Sequence, residues 1–446
     1  MGKNVKVNVH HLTRVEGHGN IVVNVTDGTI EQCEWQVPEA PRFFEAMVRG
    51  RHYSEVARIT SRICGICAVG HTLASLKATE NALGIEISEQ TDLLRRVLKH
   101  AENYDSHILH VYFLVAPDLL DAPSVFPLVP THPDVVKRAL RMKRLGHEWG
   151  ACIGGRTTHP TRAVVGGFAS LPGAARTVRE AEANLRELKD KLLGIVPDAV
   201  ETYKLLVELA PKIPAFDRPT EYVGLVDDKE YGLYDGRICC LMPDGTREIV
   251  NVADYRTVTN EYVSDLSTAK FTKHNMESYM AGAMARMNIN YDRLHPEAMK
   301  LAEGLGFKPI CTNPYMNSVA QFIEAVHSVY MAVEYIDRLL AKGLKDEKPV
   351  EPTKFGRGQG STEVPRGILF HEYDYDAEGF CTMGNCVIPT NQNHGNINQD
   401  FQKIVPELLE ADKTEKEMEL ALEMLVRAYD PCISCSTHYL NVTFKK

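Results

Sequence analysis

Residues 61–71 read SRICGICAVGH, and residues 430–438 read DPCISCSTH. Each stretch holds two cysteines separated by two residues and closes on a histidine. The thiols of either pair can grip one ion, and the two pairs together offer the four sulfurs of a tetrahedral site. Because the pairs lie near opposite ends of the chain, a shared site requires the whole fold to close on itself. Structural zinc is the simplest occupant, yet zinc staples usually pair ligands ~15 to 20 residues apart in modules too small for a core. A thioredoxin-like redox pair is a second reading, but it wants an exposed Cys-x-x-Cys beside a βαβ pattern, which neither stretch has. Soft thiolates also select copper, nickel and iron-sulfur centres, so sulfur alone leaves the metal open.

The rest of the chain has no need of a staple. Its 446 residues are 44% hydrophobic, enough to bury a large core without a metal. The net charge of -9, with Lys and Arg scattered, provides no basic stripe, so nucleic acid is excluded as a partner. No run reaches the ~18 to 20 apolar residues of a membrane helix; the longest candidate, Leu109 to Ala116, is short and interrupted. The N-terminal MGKNVKVNVHH alternates polar and apolar residues and lacks a secretory core, so a cytoplasmic protein without a transmembrane segment is expected. Eleven cysteines, an odd number, argue against a disulfide framework.

Hydrophobic periodicity predicts a mainly α fold with small β-sheets (α+β), forming one domain over 1–446. Strands are expected at Val5 to Val9, Ile21 to Val25 and Ile30 to Val37, with Asp27-Gly28 as a turn. Two long helices are expected over Asp92 to Val115 and Val319 to Leu340. Shorter ones are expected at Pro133 to Leu145, Gly173 to Leu193 and Glu415 to Ala428, and a hairpin at Arg237 to Val250 turning on Asp244-Gly245. Lys342 to Ser361 reads as the most loop-like stretch. His107 and His110 share one side of the first long helix and read as core or interface histidines.

Four further segments are rich in charge or in backbone-shaping residues without an amphipathic period: LTRVEGHG (12–19), PRFFEAMVRGR (41–51), GQGSTEVPRGILFHEY (358–373) and NCVIPTNQNHGNI (385–397). Together with RxCGxCxxxH and DPCxxCxxH they resemble the large, catalytic subunit of nickel-iron hydrogenases, from near residue 12 to His438. The resemblance implies a fold built on a central bundle of long helices. It also implies reversible heterolytic cleavage of H2 at a nickel-iron centre whose iron carries carbon monoxide and cyanide.

By that resemblance Cys64 and Cys432 are terminal thiolates on nickel, and Cys67 and Cys435 bridge nickel to iron. Glu16 corresponds to a proton-relay glutamate beside a bridging cysteine; without the motif it would read as an ordinary surface carboxylate. Arg366 corresponds to the arginine that hydrogen-bonds an iron-bound cyanide, Pro365 to the apolar wall beside it, and Thr390 to the hydroxyl donor for the second cyanide. A magnesium site is implied at Glu45, the Cys386 carbonyl and His438, since a carboxylate and a carbonyl suit that hard cation. His71 is expected to hydrogen-bond a bridging sulfur, and the GGRTTHP loop (154–160) to serve packing or subunit contact.

Two departures stand out. Where many relatives carry an aspartate before the helix histidine, this chain has Ser106, with Asp105 adjacent, so no role is assigned to that aspartate; Asp430 is a canopy candidate instead. In many relatives a maturation protease cuts after the last histidine, whereas YLNVTFKK (439–446) follows His438 here as a candidate processing tail. Cys33, Cys152, Cys239, Cys240, Cys311 and Cys381 lack the spacing of a cluster site. Electrons are therefore expected to leave through an iron-sulfur small subunit, then flavin or iron-sulfur subunits, to NAD, ferredoxin, deazaflavin or a heterodisulfide. The alternatives are a structural zinc protein and a non-catalytic thiolate scaffold of a redox complex. Retention of all four thiols favours the enzyme.

Overall fold

The chain closes its two ends against each other. The structure, a computed structural model, describes residues 4–437. Strands β1 (Val5–Val9), β2 (Asn20–Thr26) and β3 (Thr29–Gln36) form an antiparallel sheet in sequence order. Alternation puts Val5, Val7, Ile21, Val23, Val25, Cys33 and Trp35 in the core. Asp27 and Gly28, at φ 50° and 81°, make the tight turn that their sequence announces. The same core takes in the Glu415–Ala428 helix through Met418, Leu422, Leu425 and Val426. The last long helix therefore packs on the first sheet.

The middle of the chain supplies a short hairpin, β4 (Ala163–Val164) with β5 (Gly167–Phe168), and a four-stranded sheet. That sheet runs β8 (Arg247–Val250), β7 (Arg237–Leu241), β6 (Glu221–Val226), β9 (Tyr279–Met280), with β9 parallel to β6. A third sheet, β10 (Arg357–Val364), β11 (Gly367–Tyr375) and β12 (Cys381–Val387), is antiparallel and buried along most of its length.

The two long helices run antiparallel, Glu89–Leu109 against Asn317–Lys342. His107 Nε2 lies 2.8 Å from Glu324 Oε2, and His110 meets Gln321 one turn further on. Both histidines face the core, as their spacing suggests. The first helix does not stay α-helical to Val115: its end widens into a π-helical stretch, His110–Val115. There His110 also contacts the Arg427 carbonyl at 2.7 Å, tying this helix to the C-terminal one.

Other boundaries shift for local reasons. The helix expected from Gly173 begins at Val178, because Gly173 takes φ 71° in a 3₁₀ turn and Thr177 then caps the Glu180 N–H. The helix expected to end at Leu145 continues to Gly154, where Gly155 at φ 88° stops it. Helices Ala68–Leu83, Val196–Leu209 and Pro389–Glu410 were not anticipated, nor was the β10–β11 hairpin. No described helix is long and apolar enough to cross a membrane.

Candidate metal centre

Both cysteine pairs sit where irregular backbone enters a helix. A 3₁₀ turn, Ser61–Ile63, leads into extended Cys64, and Cys67 is the residue before the Ala68–Leu83 helix. The Cys64 sulfur accepts the N–H groups of Ile66 and Cys67 at 3.2 and 3.1 Å, which curls the loop around it. Cys432 likewise precedes the short Ile433–Ser436 helix that carries Cys435. The 12–19 segment pairs with this turn: the Ile433 N–H donates to the Glu16 carbonyl at 2.9 Å.

The four sulfurs converge, all within 4.8 Å of one another and all buried, as free cysteines. Cys64 to Cys432 is 3.4 Å, Cys67 to Cys435 is 3.8 Å and Cys432 to Cys435 is 2.6 Å. Thiolates ~2.3 Å from one ion at tetrahedral angles stand about 3.7 Å apart, so the first two separations fit a metal directly. Burial opposes a charged Cys64, but hydrogen bonds from Cys432, Cys435 and Cys67 and the Arg366 charge outweigh it and bring that thiol well below its ordinary value. Burial pushes Cys432 and Cys435 up. Metal binding would take the sulfurs as thiolates and release the protons they carry.

Arg366 reaches this cluster from the tip of the β10–β11 hairpin, whose two turn residues are Pro365 and Arg366. Gly367 makes the tip possible. It takes φ 137°, and an added Cβ would meet Ala281 Cβ at 2.6 Å and Pro389 Cβ at 2.9 Å. The arginine is buried, with Nη2 donating to Asp430 Oδ1 at 2.7 Å and Nη1 lying 3.5 Å from Ser106 Oγ. Its Nε has no partner among the described residues. A buried donor without an acceptor costs about 1–3 kcal/mol, so this orphan fits a site built for an anionic ligand. Asp430 is positioned from its other oxygen by Gln321 Nε2 at 3.0 Å, whereas Asp105 pairs with Lys143 and stands beside His147.

Glu16 departs from expectation in one respect. Its Oε2 lies 3.1 Å from the Cys432 sulfur, so its partner is the cysteine read as terminal rather than one read as bridging. Oε2 also accepts the Ser434 N–H at 3.1 Å, and the Ser434 hydroxyl makes a short bond to Oε1. Gly17, at φ 84°, lets the chain turn here, since an added Cβ would come within 2.8 Å of Ile433 and Ser434. Glu16 and Ser434 are half-buried, so this carboxylate stands between the sulfurs and the outside.

Thr390 opens the Pro389–Glu410 helix and accepts the Cys432 N–H at 3.1 Å, leaving its own hydroxyl proton free to donate. Glu45 Oε1 accepts the Cys386 N–H at 2.8 Å, both groups being buried; His438 lies outside the described residues. One ring nitrogen of His71 is 3.1 Å from His371 Nε2. From the 154–160 loop, His159 Nδ1 meets the Ser61 carbonyl at 2.9 Å, so this loop packs on the first cysteine stretch.

Two arginines that the sequence did not single out hold the site together. Arg42 donates from Nη2 to the carbonyls of Ile63, at 2.5 Å, and Ser434, one from each cysteine segment. Arg286, fully buried, binds Glu324 at 2.6 and 2.7 Å and Glu363 at 2.8 Å, and donates to the carbonyls of Val364 and Pro365 at 2.9 and 3.1 Å. It thereby fixes the turn that presents Arg366. Arg42 lies inside the quoted PRFFEAMVRGR segment, which was the available signal for it; nothing local marks Arg286.

Four buried, convergent thiols in a mainly helical chain, with an arginine beside them, define a metal-thiolate site. The nickel-dependent hydrogenase family matches residues 42–133 and 243–438, and a HoxL-like family matches residues 6–40. Sulfhydrogenase 1 subunit alpha of Pyrococcus furiosus is 32% identical over 438 residues, covering 98% of each chain. NAD-reducing hydrogenase HoxS subunit beta of Cupriavidus necator is 29% identical, covering 98% of this chain and 95% of that one. The crystal structure of an NAD+-reducing [NiFe]-hydrogenase in the H2-reduced state superposes with a TM-score of 0.84 at 27% identity, over 97% of this chain and 99% of the other. The chain belongs to the nickel-dependent hydrogenase family and is a catalytic subunit, an oxidoreductase acting on H2. The zinc and scaffold alternatives are not favoured.

Proposed function

We propose that Cys64, Cys67, Cys432 and Cys435 hold a nickel-iron centre with carbon monoxide and cyanide on iron, Cys64 and Cys432 binding nickel alone and Cys67 and Cys435 binding both metals. The observation that carries this is the convergence of four buried sulfurs with the Arg366 guanidinium, whose Nε lacks a partner among the described residues. Bound there, such a centre supplies the Lewis-acid and redox chemistry of heterolytic H2 cleavage. The protein's part is to hold the sulfurs, exclude water and move the proton. At 3.1 Å, Glu16 Oε2 is within reach of a proton on the Cys432 sulfur and can pass it outward past Ser434. Arg366 and Thr390 are the donors to the two cyanides, with Pro365 as the apolar wall, and His71 supports a bridging sulfur.

Glu45, Cys386 and His438 are the proposed magnesium site; support comes from the contact between Glu45 and Cys386. Residues 1–446 form one domain, of which 439–446 is a candidate processing tail for a maturation protease. The electrons go to an iron-sulfur small subunit and on through flavin or iron-sulfur subunits to a soluble acceptor, in a cytoplasmic complex. Relatives named as subunits of sulfhydrogenase and NAD-reducing hydrogenase support a multisubunit complex, and the latter supports NAD as an acceptor; ferredoxin, deazaflavin and heterodisulfide are the other acceptor classes of this reading. Replacing Cys435 by serine tests the ligand set: the purified complex should lose nickel and H2-dependent dye reduction together. Full nickel content in that variant would contradict it.

A further inference from the structure

Cys240 has no ligand spacing in the sequence, yet the fold surrounds it with donors. In the β6–β7 ladder Val223 pairs with Cys240, so Glu221, two residues before Val223, shares the face of Cys240. His274 arrives from the segment before β9. One ligand atom from each of Glu221, Cys240 and His274 lies within 4.8 Å of the others. Glu221 and Cys240 are fully buried, and the His274 side chain is 9% exposed. On the open side Glu248, paired with Cys240 in the β7–β8 ladder, brings Oε2 to 3.8 Å from His274 Nε2.

We infer that Glu221, Cys240 and His274 form a second metal site, suited to zinc, with water as the fourth ligand. One sulfur, one imidazole and one carboxylate match a borderline-soft ion that accepts all three donor types, and the thiol disfavours magnesium or calcium. The carboxylate is held in place: Glu221 Oε2 accepts the N–H groups of Asn275 and Met276 at 3.0 and 3.4 Å, while Oε1 turns towards His274 with a longer contact from Asn275 Nδ2 at 3.3 Å. His274 Nδ1 stands 2.7 Å from that Oε1. Ligands ~2.0 to 2.1 Å from a tetrahedral zinc are about 3.3 Å apart, so the imidazole must withdraw by about 0.6 Å, a small adjustment for a residue on a loop.

An ion pair between Glu221 and His274 would account for that contact alone. It does not involve the Cys240 sulfur, which lies on the same face within 4.8 Å of both groups. The site shares no residue with the four-cysteine centre. It clamps the segment that continues through β9 to Ala281 and Gly282, against which Gly367 and the Arg366 carbonyl pack. Its role is structural, holding the floor beneath the arginine turn.

The test is elemental analysis of the purified holo-complex after incubation with zinc sulfate and desalting, with zinc K-edge absorption on the same sample. The expected result is one zinc per chain, bound by one sulfur at ~2.3 Å and otherwise by nitrogen or oxygen. Cys240→Ala and, separately, His274→Gln should abolish it while nickel and iron stay at wild-type levels. His274 lies at the surface side, so its variant reports even if Cys240→Ala folds poorly. No retained zinc, zinc bound by four sulfurs, or zinc unchanged in His274→Gln would each overturn the inference.

Discussion

Glu16→Gln separates proton transfer from structure, because glutamine can keep nearly every contact that the glutamate makes. With the amide oxygen in the place of Oε2, it still faces the Cys432 sulfur and the Ser434 N–H, both now at 3.1 Å. The amide nitrogen replaces Oε1, and the Ser434 hydroxyl can rotate from donor to acceptor. What is lost is charge assistance in these bonds, worth about 1 kcal/mol of stability. An amide cannot relay a proton at neutral pH, and general acid-base groups contribute about 10²- to 10⁴-fold. At 1.36 kcal/mol per decade, that is roughly 3 to 5 kcal/mol on the barrier. H2-dependent dye reduction by a preparation with full nickel and iron should therefore fall at least ~100-fold, while the melting temperature moves by a few degrees. Glu16→Asp should recover part of the rate. Turnover of Glu16→Gln within about threefold of wild type would refute the relay.

Arg286→Leu should be far more costly to the fold than any change at Glu16, since it removes the buried cation that Glu324 and Glu363 share: about 3 to 5 kcal/mol by urea unfolding. Acid sensitivity should begin well above the carboxylate range. His327 is buried and neutral, its pKa lowered to about 3 by burial despite the nearby Glu324, and its Nδ1 accepts the His295 N–H at 3.0 Å. Its contribution is complete above the unfolded value of ~6.5 and is lost as pH falls from there towards 3, because only the unfolded chain then takes the proton. Going from pH 7 to pH 5 should cost about 2 kcal/mol through this residue, and His327→Gln should flatten the slope of unfolding free energy against pH.

The site was readable where its chemistry is local. Cys64 with Cys67, and Cys432 with Cys435, announce themselves by spacing, and the motifs around Glu16 and Arg366 point to the same site. Helical periodicity located the two antiparallel helices because each shows a single apolar stripe. It failed for Ala68–Leu83, in which nearly every residue is buried and no stripe exists. The β10–β11 hairpin escaped for a related reason: with both faces covered, its strands do not alternate, and its Pro-Arg tip looks like a solvated loop. Arg286 and the cluster of Glu221, Cys240 and His274 depend on residues far apart in the chain. No short-range pattern could reveal either one.

The central claim is that the four sulfurs hold nickel together with an iron that carries diatomic ligands. An infrared spectrum of the purified, nickel-replete complex tests it most directly. The account predicts intense absorptions from both metal-bound carbon monoxide and metal-bound cyanide, shifting when H2 is admitted and absent from Cys435→Ser. A hydrogen-oxidising preparation that shows no such absorptions would contradict it.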